Sequence, residues 1–167
     1  MPDVSRSDRD AWLEAVLEAH GQALGRLAAS YAKDLGERED LFQEIVVAIW
    51  KALPRFRGEC SERTFIFRIA HNRGIAHLAR RRMPSAGVVD ELDVQSPGPN
   101  PEQALSKAQE GQRLLEAVQR LPLGYRQVVT LALEGFGYGD IADVLGISES
   151  NVGARLTRAR QMLRQLL

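Results

Sequence analysis

Among 167 residues there is one cysteine, Cys60. No internal disulfide can therefore form, and a reducing cytoplasm is the expected compartment. Aromatic side chains make up only 6% of the chain, and no apolar run reaches the length of about 18 residues that a membrane-spanning helix needs. The polar start MPDVSRSDRD lacks the apolar stretch of a secretory signal, so none is expected. Catalytic constellations are missing as well. His20, His71 and His77 lack metal-ligand spacing, since an offset of six residues puts His71 and His77 on different helix faces. Cys60 has no CxxC partner, and neither GxSxG nor a phosphate loop occurs. An enzyme, a metal site and a cofactor are all unexpected, and Cys60 reads as a passive loop residue. Net charge is absent too, with 22 basic against 22 acidic side chains. Spread evenly, that balance would argue against a nucleic-acid partner.

The charge is not spread evenly. Residues 1–60 carry 8 basic and 11 acidic side chains, residues 61–83 carry 6 and 1, residues 84–103 carry 0 and 4, and residues 104–167 carry 8 and 6. Neutrality is thus a cancellation between a strongly basic segment and acidic ones. The acidic stretch 84–101 holds Pro84, Pro97, Pro99 and Pro101 and cannot sustain a helix. The chain divides into a unit over 1–83, a flexible acidic linker over 84–101 and a unit over 102–167. Apolar residues recur at three- and four-residue steps, as in Val16, Leu17, Leu24, Leu27 and Ala28. No stretch sustains two-residue alternation, so the expected fold is all-α, two small helical domains joined by that linker. Helices are predicted over about 8–33, 37–53, 61–82, 102–120, 123–134, 138–145 and 149–166.

The last two helices have the spacing of a helix-turn-helix. Ala142 is small where two helices would approach, and Gly146 stands where the turn needs a permissive backbone. Ile141, Leu145, Ile147, Val152 and Leu156 supply apolar contacts, and Ser148 can cap the second helix. That helix carries Arg155, Arg158, Arg160 and Arg164, with Ser150, Asn151 and Thr157 toward its outer face. A helix of this kind fits the major groove of duplex DNA. A plain hairpin with a solvated arginine face is the bland alternative, and the coincidence of small, glycine and apolar positions favours DNA.

The first unit holds two unusual helices. On the second, Leu41, Ile45, Ala48, Ile49 and Ala52 form a core face, and Asp40, Gln43, Glu44, Val47 and Lys51 gather on the opposite arc. A solvated polar face is the simpler reading of that arc; a docking stripe is the sharper one. On the third, Phe65 and Phe67 interleave with Arg63, Arg68, His71, Asn72 and Arg73. Basic groups beside aromatics suit a single strand, although both phenylalanines fit core positions better than stacking platforms. The preceding loop 54-PRFRGEC-60 is basic and contains Gly58, so its backbone could approach a base closely. Arg80, Arg81 and Arg82 suit phosphate, or simply favour the negative end of the helix dipole.

In order, 40-DLFQEI-45, 49-IWKALPRFRGE-59, 64-TFIFRIAHN-72 with its arginine cluster, 121-LPLGYRQVV-129 and 138-YGDIADVLGIS-148 resemble a bacterial sigma factor of the extracytoplasmic-function, sigma-70 type. The resemblance runs from about Gly25 to Leu167. It implies a factor that binds core RNA polymerase and directs it to promoters. It implies that Asp40, Gln43, Glu44, Val47 and Lys51 dock on the clamp helices of the β′ subunit. Arg55, Arg57, Gly58, Arg63, Arg68, His71, Asn72, Arg80 and Arg81 would take the melted non-template strand of the −10 element. Ser148, Ser150, Asn151, Arg155, Arg158 and Arg160 would read the −35 element as duplex, with their domain also touching the β flap. The linker would thread toward the polymerase active site, and an anti-sigma protein is an implied partner. The chain departs from the family pattern at Phe65, where tryptophan is usual, at Ala76, where aspartate is usual, and at Gly153, where the recognition helix usually has lysine.

Overall fold

The computed structural model describes residues 4–82 and 102–167. The predicted linker, 84–101, lies outside the described residues. Among the described residues seven α-helices follow one another: α1 (Arg6–Tyr31), α2 (Leu35–Ala52), α3 (Glu62–Arg82), α4 (Glu102–Gln119), α5 (Leu123–Leu133), α6 (Tyr138–Leu145) and α7 (Glu149–Leu166). No strand occurs among the described residues, so the all-α expectation holds.

The helix starts follow from local chemistry. Ser5 Oγ accepts from the Asp8 amide at 3.1 Å, Asp34 Oδ1 from Glu37 at 2.9 Å, Ser61 Oγ from Thr64 at 3.1 Å and Ser148 Oγ from Asn151 at 3.1 Å. Each cap satisfies an amide that has no intrahelical partner. The second helix stops one residue before the predicted Leu53, where Pro54 opens a 3₁₀ turn over Leu53–Arg55. Gly146 ends α6 at φ +68°, and its amide and that of Ile147 both reach the Ala142 carbonyl. A Cβ-bearing residue would be strained in that left-handed conformation.

Two sets of helices make the core. In the first, Leu24 and Leu27 of α1, Leu41, Ile45 and Ile49 of α2, and Ile66, Phe67 and Ala70 of α3 are fully buried or nearly so. In the second, Val128 and Leu131 of α5 meet Ile141 of α6 and Val152 and Leu156 of α7. The two sets are not separate bodies. Phe136, in the corner between α5 and α6, is only 6% exposed, and its ring centre lies 4.9 Å from that of Phe67 in an edge-on arrangement. Arg26 forms a two-pronged ion pair with Glu134 at 2.6 and 2.8 Å. Gln119 donates to the carbonyls of Ala29 and Ala32 at the end of α1, and Arg126 donates to that of Ser30 at 3.4 Å. The sequence reading did not anticipate this packing of one half on the other.

Candidate nucleic-acid interface

The helix-turn-helix forms as its spacing predicted. Ile141, Val152 and Leu156 are buried between α6 and α7, with Leu145 and Ile147 packed against them. Ser150, Asn151 and Arg158 lie on the open face of α7, and Arg155 is half-buried, its Nε donating to Asn151 Oδ1 at 2.9 Å. Arg160 is exposed, but at about 100° per residue it lies about 160° round the helix from Arg158. It therefore lies on a different flank from Asn151, Arg155 and Arg158, with Ser150 about 80° from either side. Ser148 uses its hydroxyl to cap α7 and to bond Ser150 Oγ at 3.2 Å. At Gly153 a Cβ would sit 3.4 Å from the half-exposed Tyr138 ring, an ordinary contact, so packing does not require glycine there.

On the first unit, Asp40, Gln43, Glu44, Val47 and Lys51 line one open groove of about 550 Å³ between α2 and α3. Val47 is 49% exposed, an apolar side chain held in water among polar ones. Two α3 arginines share the groove. Arg80 pairs with Glu44 at 2.7 Å, and Arg73, seven residues earlier on the same face, lies beside it. The sequence reading grouped Arg73 and Arg80 with the basic side chains suited to a nucleic-acid strand; their seven-residue spacing was the signal that they share a face. Arg81 instead approaches Glu37 at 3.7 Å, which His77 also meets at 3.3 Å.

A second cleft, of about 470 Å³, opens between the loop after α2 and the start of α3. Arg55, Arg57 and Arg68 line it with Phe56 and Phe65, whose rings lie 4.7 Å apart. Gly58 turns the loop at φ +72°. Phe67 is core at 1% exposure, while Phe65 is half-buried. Two of the predicted strand-binding arginines are engaged by the other half of the chain. The Arg63 guanidinium lies over the Phe136 ring at 3.7 Å and donates to the Glu134 carbonyl, and Arg68 donates to the Asp143 carbonyl at 2.7 Å. Asn72 remains exposed.

His71 is a correction. It is 1% exposed, and its Nδ1 shares a hydrogen bond of 2.7 Å with Tyr31 Oη, so it belongs to the core and cannot touch a nucleic acid. Its place in the pattern, one turn after Phe67, already put it on the buried face. Burial lowers its pKa from 6.5 to about 3, which keeps the ring neutral, and burial raises that of Tyr31 above the ordinary phenol value.

Exposed arginines on a helix-turn-helix, a cleft lined by Arg55, Arg57 and Arg68 together with Glu59, Asp140 and Asp143 beside two tilted phenylalanine rings, and a separate half-apolar groove are features of a helical DNA-binding protein. Family models agree with that division: "Sigma-70 region 2" matches residues 16–83 and "Sigma-70, region 4" matches residues 111–163. The RNA polymerase sigma-H factor of Pseudomonas aeruginosa is 31% identical over 98% of this chain and 90% of its own length. The ECF RNA polymerase sigma-E factor of Escherichia coli is 30% identical over 77% of this chain and 72% of its own. A solved structure of CnrH in complex with the cytosolic domain of CnrY aligns with a TM-score of 0.68 at 27% identity, covering 92% of this chain and 86% of that one. The sigma factor RpoE of Bartonella quintana, solved with the anti-sigma factor NepR, aligns with a TM-score of 0.73 at 24% identity over 92% and 94%. The chain belongs to the extracytoplasmic-function sigma factors of the sigma-70 type. Such a factor works with core RNA polymerase and promoter DNA in transcription initiation and is not itself an enzyme. None of the described helices is long and apolar enough to cross a membrane.

Proposed function

We propose that this sigma factor recognises promoters at two places and holds polymerase at a third. The domain over 102–167 reads the −35 element as duplex through Ser150, Asn151, Arg155 and Arg158 of α7, and also meets the β flap. The domain over 1–83 captures the −10 element as melted non-template strand on Arg55, Arg57, Gly58, Arg63 and Arg68, with Asn72 alongside. Asp40, Gln43, Glu44, Val47 and Lys51 dock on the β′ clamp helices, and the linker 84–101 joins the two domains. The observation that carries this reading is the gathering of all five stripe residues in one open groove, apart from the basic cleft. A protein partner and a nucleic acid then have separate faces, and both can be engaged at once. The chain acts in the cytoplasm, where polymerase is.

Replacing Gln43 and Glu44 together by Ala lowers affinity for core polymerase about tenfold or more, as expected for polar groups near the centre of an interface, and leaves binding to duplex DNA unchanged. Unaltered core affinity would refute the stripe. One solved relative is described in complex with the cytosolic domain of CnrY and the other with the anti-sigma factor NepR. An anti-sigma protein is accordingly the expected regulator of this chain, and affinity purification with mass spectrometry checks it.

A further inference from the structure

A cavity of about 630 Å³ lies apart from the docking groove and the arginine-lined cleft, walled by α1, α4 and α5 and also lined by Arg38 of α2. That volume falls among those of pockets that hold small molecules, about 300–1,000 Å³. On α4, Gly111, Leu114, Leu115 and Val118 recur at three- and four-residue steps and form one stripe about 10 Å long. Ala29 of α1 and Leu133 of α5 extend the apolar wall. Leu133 is 58% exposed, so water touches apolar surface that a ligand tail would cover. Two glycines keep the trough open: a Cβ at Gly25 or at Gly111 would meet nothing within 4 Å.

The charge of the lining is unbalanced. Among the described residues three charged side chains line the cavity, Arg26, Arg38 and Glu134. Arg26 and Glu134 satisfy each other in their two-pronged ion pair. Arg38 is left over, and its Nε is buried with no hydrogen-bond partner among the described residues. A buried donor of a charged group left in that state is costly, and a carboxylate is the acceptor that best relieves it. We infer that this cavity binds a single-chain amphiphile with an anionic head, of the fatty-acid type. Its carboxylate meets Arg38 and its tail lies along the α4 stripe. The lining residues belong to neither the proposed polymerase surface nor the proposed DNA surfaces, so the site stands independently of that reading.

The test is isothermal titration calorimetry of the full-length chain with decanoate below its micellar concentration. Decanol supplies the same chain without the charge. Wild type is expected to take one decanoate per chain and to bind decanol about tenfold more weakly or less. Arg38→Gln lowers decanoate affinity about tenfold and brings it level with decanol. Gly25→Leu and Gly111→Leu fill the trough and weaken both ligands about tenfold or more. Leucine is the better helix former, so these two variants keep the fold, which circular dichroism checks. Core-polymerase binding of all three variants stays at the wild-type level. A wild-type chain that takes no decanoate overturns the site and leaves the cavity to a protein partner or to plain packing. Equal wild-type affinity for decanoate and decanol overturns the anionic head. Several decanoates per chain, with affinity unchanged in the leucine variants, mark non-specific surfactant binding and overturn it as well.

Discussion

Single residues carry much of what distinguishes this chain, and two glycines show how differently one residue type can act. At Gly74 a Cβ would lie 2.5 Å from a Tyr31 ring carbon, and that ring is buried with its hydroxyl on His71. Gly74→Ala is expected to destabilise the protein by about 2 kcal/mol or more, the range of an overpacked core, in urea unfolding. At Gly153 the added methyl would reach ordinary contact with Tyr138 at 3.4 Å. Gly153→Ala should therefore stabilise α7 by about 0.5–1 kcal/mol, the usual difference between the two residues inside a helix. A loss of stability there would show that the Tyr138 ring cannot shift. His71 sets a pH dependence. Its pKa falls from 6.5 to about 3 on folding, so between those values the unfolded chain binds a proton that the folded chain does not. Its contribution is complete above pH 6.5 and declines as pH drops toward 3, by at most about 1.4 kcal/mol per unit. Unfolding free energies measured from pH 7 to 4.5 should fall less steeply in His71→Met than in wild type. Equal slopes would mean that the ring reaches water.

At the scale of elements, the helices were largely legible because their signals are local. The periodic apolar positions of α2, the Ser148 cap and the Gly146 turn each act within a few residues, and the structure keeps them at the positions read from sequence. Ser148→Ala removes the side-chain acceptor of the Asn151 amide and should cost about 1 kcal/mol. Because it frees the turn leading α7 toward DNA, duplex affinity should fall with it. Arg158 lies on the open face of the same helix. Arg158→Ala is expected to weaken binding to −35 duplex and to reduce the salt slope by about one if it meets phosphate. An unchanged slope would move the phosphate contact elsewhere. Grouping by charge rather than by helical period misjudged one case on these elements. His71 was placed with its basic neighbours although it lies one turn after Phe67, on the buried face of α3.

For the whole molecule, the two halves share a continuous set of buried side chains, from Tyr31 and Phe67 to Phe136 and Val128. Thermal unfolding of the wild-type chain is accordingly expected as one cooperative transition, resolving into two when Phe136→Ser separates the halves. Two transitions in wild type would mean that the contact contributes little. The sequence by itself determined the all-α class, the family and the face of α2 on which the candidate stripe gathers, because helical periodicity, caps and ordered motifs are written in nearby residues. Only the tertiary structure decided that Arg80 and Arg73 share the groove with that stripe, that Tyr31 meets His71, and that Arg63 and Arg68 are held by the α5–α6 corner. Those facts depend on side chains 36 to 75 residues apart meeting in space. Local pattern cannot encode such meetings, since they arise from how the apolar surfaces of separate helices find one another.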